Sequence, residues 1–290
     1  MPHPSRNPDS ETAVPQGSDE TVSFGYREVP PADKSTLVRD VFESVAGRYD
    51  VMNDLMSFGV HRLWKDTFVR LLNPRPGLRL LDVAGGTGDI AFRVAERLFR
   101  PELPENPVIS RSPAPTESAD SSGKSAAGDI VVLDLTEGML RQGRDRAIDR
   151  GLLRNISWVC GDALALPLPA RSLDAYTIAF GLRNVTDVDL ALAEARRVLR
   201  PGGRFLCLEF SQVVLPLLDK AYDLYSFQVL PRLGGLVAGD RSSYQYLVES
   251  IRRFPPQADL AARMEAAGFA RARWRNLSGG IAAIHSGWRI

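Results

Sequence analysis

Apolar residues fall along the chain in two alternating rhythms. Compact apolar runs of strand length occupy Leu78–Val83 (LRLLDV), Asp129–Leu135, Ile156–Cys160, Leu173–Phe180 and Arg204–Phe210. Between them, apolar residues recur at helical spacing over Asp89–Arg100, Glu137–Arg150 and Asp187–Arg200, the last stopped by Pro201-Gly202-Gly203. Near-continuous apolar strands separated by amphipathic helices predict an α/β protein, a parallel sheet with helices on both faces. Helices near Ser242–Arg253 and Gln257–Ala267 follow. Two final strands, Ala270–Leu277 and Gly280–Ser286, are expected to pair antiparallel across Ser278-Gly279-Gly280.

Two stretches break this rhythm. The first 34 residues hold six prolines, six acids and three bases with few large apolar groups, and read as a solvated tail. They have no apolar signal core, and their acids argue against a mitochondrial transit peptide. Residues 101–128 contain five prolines and six serines, too little apolar material for a core, and read as a flexible surface insertion. The remainder, 35–290, is expected to form one domain.

Composition narrows the possibilities. With 36 basic and 35 acidic side chains the net charge is +1, which argues against general nucleic-acid binding. No apolar run reaches the roughly 18 residues of a membrane span. The three histidines and two cysteines are scattered without metal-ligand spacing, so no metal is expected. Cys160 and Cys207 both lie in strand-like runs and are expected as buried, reduced thiols.

Candidate chemistry begins at Leu81-Asp82-Val83-Ala84-Gly85-Gly86-Thr87-Gly88-Asp89, a strand-to-helix turn. Glycines let backbone approach a ligand, and a helix N-terminus offers free N–H groups. Gly86-x-Gly88-x-x-Ala91 also fits a loose dinucleotide fingerprint, so a structural turn and a nicotinamide site both stay open here. Asp134 ends the next strand, 49 positions after Gly85 and 21 once the insertion is set aside. That is close to the separation of about 20 for an acid gripping ribose hydroxyls. Asp162 and Ala163, in GDALALP after the third strand, could accept from an adenine amino group and donate to a ring nitrogen.

These phrases together, LDVAGGTGD, VVLDLTEGML, GDALALP, RVLRPGGRFLCLEF and the C-terminal AGF, resemble a class I methyltransferase. VFESVAGRYDVMNDLMSFGVHRLWK, FGLRNVTD, KAYDLYSFQVLP and GGIAAIHSGW narrow the resemblance to the ubiquinone/menaquinone C-methyltransferase family, over roughly residues 35–290 apart from the insertion. One departure is Ala84, where many class I enzymes have glycine.

The resemblance implies a Rossmann-like class I fold, S-adenosyl-L-methionine as cofactor, and C-methylation of a polyprenylated benzoquinol, with demethylmenaquinol as a further substrate. Gly86, Thr87, Asp134, Asp162 and Ala163 would then bind the cofactor. Ionising a quinol hydroxyl activates the neighbouring ring carbon, and a phenol with a pKa of about 10 needs help to ionise. Arg183 is read as an electrostatic partner of the phenolate and Asn184 as an orienting group. Tyr49 is a further candidate for hydrogen-bonding a quinol oxygen. His61 is read as structural rather than a base, Asp82 as ordering the glycine loop, and Glu209 is a candidate without a role. Residues 213–254 would cover the substrate, with their apolar positions serving as core or as a tunnel for the isoprenoid tail. A cytoplasmic protein is expected, with peripheral contact to the inner membrane face and assembly as a homodimer or within a quinone-biosynthesis complex. The competing readings are a methyltransferase of the same fold with another small substrate, an NAD-dependent oxidoreductase, and a non-catalytic scaffold.

Overall fold

The computed structural model describes residues 21–45, 54, 57, 59–99, 128–152, 154–214 and 241–290. Its centre is a seven-stranded sheet built from β3 (Arg79–Val83), β4 (Asp129–Asp134), β5 (Ile156–Cys160), β6 (Leu173–Ala179), β7 (Leu199–Phe210), β8 (Ala270–Leu277) and β9 (Ala282–Trp288). The order across the sheet is β5-β4-β3-β6-β7-β9-β8. Pairs from β5 through β7 are parallel, and β9 runs antiparallel to both β7 and β8. The expected parallel sheet with an antiparallel C-terminal strand is therefore observed.

Strand side chains alternate between two cores. Leu80, Ile130 and Leu206 enter one with α2 (His61–Leu72), α3 (Asp89–Phe99) and α6 (Arg241–Arg253). Leu81, Leu133 and Phe205 enter the other with α5 (Val188–Val198) and α7 (Gln257–Ala266). The period of two along each strand thus feeds both faces, which is why Leu80, Leu81 and Val83 of β3 are all buried. α4 (Glu137–Asp149) completes the β4–β5 crossover. α5 is started by Asp187, whose carboxylate accepts the Leu190 N–H at 2.9 Å and satisfies a donor that the first helical turn leaves free.

Three details differ from expectation. A hairpin, β1 (Val22–Phe24) and β2 (Arg27–Val29), and the first turn of α1 (Pro31–Val45) lie inside the expected tail. Phe24 supplies the apolar anchor: it is buried and stacks on Tyr246 of α6. Helix α5 ends at Val198, and β7 begins at Leu199, with Pro201-Gly202-Gly203 forming an irregular start to the strand. Cys207 is buried as expected, whereas Cys160, at the exit of β5, is exposed.

Candidate functional site

The chain passes from β3 outward through β4 to β5, then returns to place β6 on the other side of β3. Where strand order reverses, the loops leaving β3 and β6 diverge and open a crevice at the carboxyl edge. A cleft open to solvent lies here. Its walls are the loops after β3, β4, β5 and β6, with Val38, Arg39 and Phe42 of α1 on a further side.

On one side stands the glycine loop. Gly86 has φ +53°, a conformation L side chains seldom adopt, and a Cβ there would meet nothing within 4 Å. Backbone is thus presented bare to the cleft. Gly86 N–H donates to Asp134 Oδ2 at 2.9 Å, and Thr136 N–H donates to Asp134 Oδ1 at 2.8 Å. Burial pushes the Asp134 carboxyl up, and these amide hydrogen bonds oppose it. Each oxygen keeps further acceptor capacity, so the aimed carboxylate can receive a pair of ribose hydroxyls. Asp162 and Ala163 line the same cleft, and Asp162 Oδ1 is held by the Leu164 N–H at 2.9 Å.

Beneath the loop, Asp82 is buried. Thr177 Oγ1 donates to its Oδ1 at 2.8 Å, while Oδ2 has no partner among the described residues. Burial, with the charges of Asp89 and Asp134 adding to it, pushes this carboxyl up to about 7. It supports the loop from below and does not line the cleft. At the loop's far end, Asp89 opens α3 and receives Lys65 Nζ at 2.7 Å and Arg93 Nε at 3.0 Å. Burial works against its ionisation, but Lys65 and Arg93 outweigh that and hold it near 2.

The other side is built on the turn after β6. Phe180, Gly181, Asn184, Val185 and Thr186 line the cleft. Arg183 does not. Its Nη1 donates to Glu209 Oε1 at 2.7 Å and to the Phe180 carbonyl at 2.6 Å, with both partners of the ion pair almost wholly buried. Glu209 Oε2 also accepts the Arg183 N–H at 3.3 Å. Burial pushes the Glu209 carboxyl up, and the Arg183 charge opposes it. Arg183 therefore clamps the turn from behind, and its charge is balanced before reaching the cleft.

Thr87 is likewise turned away. It is buried outside the cleft lining, and its Oγ1 accepts from Arg146 of α4 at 2.9 Å. Tyr49 lies outside the described residues, as do most of 101–128 and of 213–254, namely 101–127 and 215–240. His61 Nε2 pairs with Asp54 at 2.9 Å, and burial, then Lys65, lowers its pKa; it is absent from the cleft lining. Among the described residues no His, Cys, Asp and Glu cluster suits a metal ion. An N-terminal helical segment over the substrate was expected from the resemblance, but the α1 residues that form this wall were not singled out. Their signal was present in the i, i+4 pairs Ser35/Arg39 and Val38/Phe42, which share a helix face.

The described residues fit an adenosyl sulfonium cofactor: bare backbone at Gly86, a half-buried acid at Asp134 on the end of the adjacent strand, and a second acid, Asp162, beside Ala163. A cleft with these features at the switch point of this sheet defines a class I S-adenosylmethionine-dependent methyltransferase. A solved S-adenosylmethionine-dependent methyltransferase from Thermotoga maritima shares the fold, with TM-score 0.55 and 18% identity over 87% of this chain and 100% of that one.

Sequence comparison is more specific. The model of the ubiE/COQ5 methyltransferase family matches residues 30–289, and the chain belongs to that family. The ubiquinone/menaquinone biosynthesis C-methyltransferase of Rhodopseudomonas palustris strain HaA2 is 54% identical over 275 residues, 93% of this chain and 98% of the relative. The protein of the same description from Brucella abortus strain S19 is 53% identical over 270 residues, 92% and 91% of the two chains. The protein is thus an S-adenosylmethionine-dependent C-methyltransferase.

Proposed function

We propose that the protein methylates a ring carbon of a polyprenylated benzoquinol in ubiquinone biosynthesis, and demethylmenaquinol where that quinol is present. The observation that carries this reading is the shared cleft, lined by Gly86 and Asp134 of the loops after β3 and β4 and by Asn184 of the turn after β6. The family membership supplies the acceptor class. S-adenosylmethionine, when bound, supplies an electrophilic methyl on sulfonium.

Each side then has a task for the chain's own residues. Asp134 accepts from ribose hydroxyls, Asp162 from the adenine amino group, and the Gly86 backbone closes against the ligand. On the acceptor side the Asn184 carboxamide donates to the quinol oxygen, which lowers the cost of its ionisation. The ionised oxygen pushes electron density onto the adjacent ring carbon, which would bond to the methyl as the methyl–sulfur bond breaks and neutral S-adenosylhomocysteine leaves; that carbon then gives up its own hydrogen as a proton to water, restoring the aromatic ring. Phe42 and Phe180 flank the ring with apolar surface and reduce the access of water, which strengthens that hydrogen bond. The hydroxyl proton leaves to water, and Tyr49 is a candidate for hydrogen-bonding the quinol oxygen. Arg183 serves through the turn it clamps.

Among the described residues no helix is long and apolar enough to cross a membrane. A substrate with an isoprenoid tail resides in lipid, so the proposed location is cytoplasmic with peripheral contact at the inner membrane face. The apolar 213–239 segment is the proposed contact, and a homodimer or a quinone-biosynthesis complex is the proposed assembly. The test is purified protein with S-adenosylmethionine and a reduced demethyl benzoquinol carrying a short prenyl chain, read by mass spectrometry. A gain of one methyl on ring carbon is expected. No transfer, or transfer to oxygen, overturns the reading.

A further inference from the structure

We propose that Tyr246 is a positioning residue for methyl transfer, fixing the Asn184 carboxamide with its amino side toward the cleft. Tyr246 Oη lies 3.1 Å from Asn184 Oδ1, across 62 residues of sequence. The Tyr246 side chain is buried, and its ring is stacked by Phe24 of the hairpin at 4.2 Å between centroids. The hairpin is itself tied to α6, where Glu249 Oε2 accepts the Tyr26 N–H at 3.0 Å. This packing holds the ring beside Asn184.

The direction of the hydrogen bond follows from satisfaction of buried groups. A buried hydroxyl needs an acceptor for its proton. Among the described residues the acceptor recorded for Tyr246 is Asn184 Oδ1. Turning the amide over would place an N–H₂ against the hydroxyl and leave the phenolic proton without a partner. Burial also raises the Tyr246 pKa, so the group stays a donor. With its oxygen engaged, Asn184 has two N–H donors left, and among the described residues no protein acceptor takes them. Asn184 itself lines the cleft. Donors on that side suit an oxygen that gains negative charge, whereas the opposite amide orientation would present a carbonyl oxygen and repel it. The clamp by Arg183 and Glu209 sets the backbone of the turn, and Tyr246 sets the rotation of its functional side chain.

The inference rests on the quinol reading proposed above. The experiment compares the full chain with Tyr246→Phe, Asn184→Ala and the double variant, using the prenylated demethyl quinol and S-adenosylmethionine. Tyr246→Phe keeps the ring stacked on Phe24 and removes only the hydroxyl. It should lower kcat about tenfold, the scale of one lost hydrogen bond, with KM for S-adenosylmethionine and Tm nearly unchanged. Asn184→Ala should lower kcat further. The double variant should be no slower than Asn184→Ala alone, because the hydroxyl acts only through that amide. Full activity of Tyr246→Phe, or losses that multiply in the double variant, would overturn the proposal. A fall explained wholly by lower Tm would assign Tyr246 to structure and overturn it as well. An unmodified chain that leaves the quinol unmethylated would overturn the quinol reading, and this inference with it.

Discussion

The two sides of the cleft are built by different means. On the cofactor side, short loops leave consecutive strands, and the contacts are local or join neighbouring strand ends. Asp134 is fixed by the amide two residues on and by Gly86 from the adjacent β3 loop. On the acceptor side, the turn after β6 is held by side chains from far along the chain, Glu209 at the end of β7 and Tyr246 on α6. The first kind of site depends on backbone geometry that the sheet imposes. The second depends on buried polar partners, where losing one member leaves another uncompensated.

The sharpest way to break this contrast is Arg183→Ala. It leaves Glu209 buried without a counter-charge and frees the turn carrying Asn184. Stability should fall by about 3–5 kcal/mol, and quinol turnover should fall with it because the turn carrying Asn184 loses its support, while affinity for S-adenosylmethionine barely changes. Chemical denaturation and steady-state kinetics measure both. An unchanged denaturation midpoint would show that the acceptor side does not depend on the ion pair.

Asp134→Ala tests the other side. Losing hydrogen bonds to two hydroxyls should weaken S-adenosylmethionine binding by roughly 1.5–3 kcal/mol. Calorimetry should show this with the sheet intact, and unchanged affinity would remove Asp134 from the ribose role.

A smaller effect is expected at Asp82. Its carboxyl titrates near 7 in the folded protein, against 3.8 in the reference state. Between these values the folded state holds a proton that the unfolded chain has released. Stability from this group therefore falls as pH rises from about 4 to 7 and stays lowered above 7. Asp82→Asn keeps an acceptor for Thr177 and removes the titration. It should raise Tm at pH 8 relative to the unmodified protein and change it little at pH 4. Equal Tm differences at both pH values would exclude ionisation of Asp82 as the cause.

The smallest effect is expected between Phe99, where α3 ends, and Asp129, where β4 begins. Such a connection is usually short. Replacing residues 101–127 with a brief glycine-serine link should leave Tm and turnover nearly unchanged. A marked loss of either would give that segment a partner in the domain.

The same contrast sets how much could be read in advance. The parallel sheet, and the gathering of Gly86, Asp134, Asp162 and Ala163 on one cleft, were legible because loop chemistry and strand spacing are written within a few residues of each other. Thr87 carried the right motif but its hydroxyl turns to Arg146, 59 residues on, a direction that no local pattern encodes. Arg183 was recognisable as a residue and misread in orientation, because Glu209 decides where its charge goes. Tyr246 gave no signal at all, since it becomes relevant only through Asn184. The hairpin was missed because VSF and REV are too short to show alternation, and Phe24 gains its burial from a helix more than 200 residues later.

Ala84 and Gly181 meet where the two sides touch. Ala84 takes the left-handed φ of +50°, a conformation that costs a side-chain-bearing residue about 1–2 kcal/mol. A Cβ on Gly181 would collide with the Ala84 methyl, although Gly181 itself has an ordinary φ of −121°. There is room for one methyl at this contact, and it is carried by the residue that bears it less comfortably. The pair behaves as a single two-letter position: alanine at both crowds the seam, and glycine at both leaves it loose. Exchanging the two letters moves the methyl onto unstrained backbone. In any set of diversified sequences the two positions should therefore change together, so that variation in the cofactor loop and in the acceptor turn is inherited as one trait.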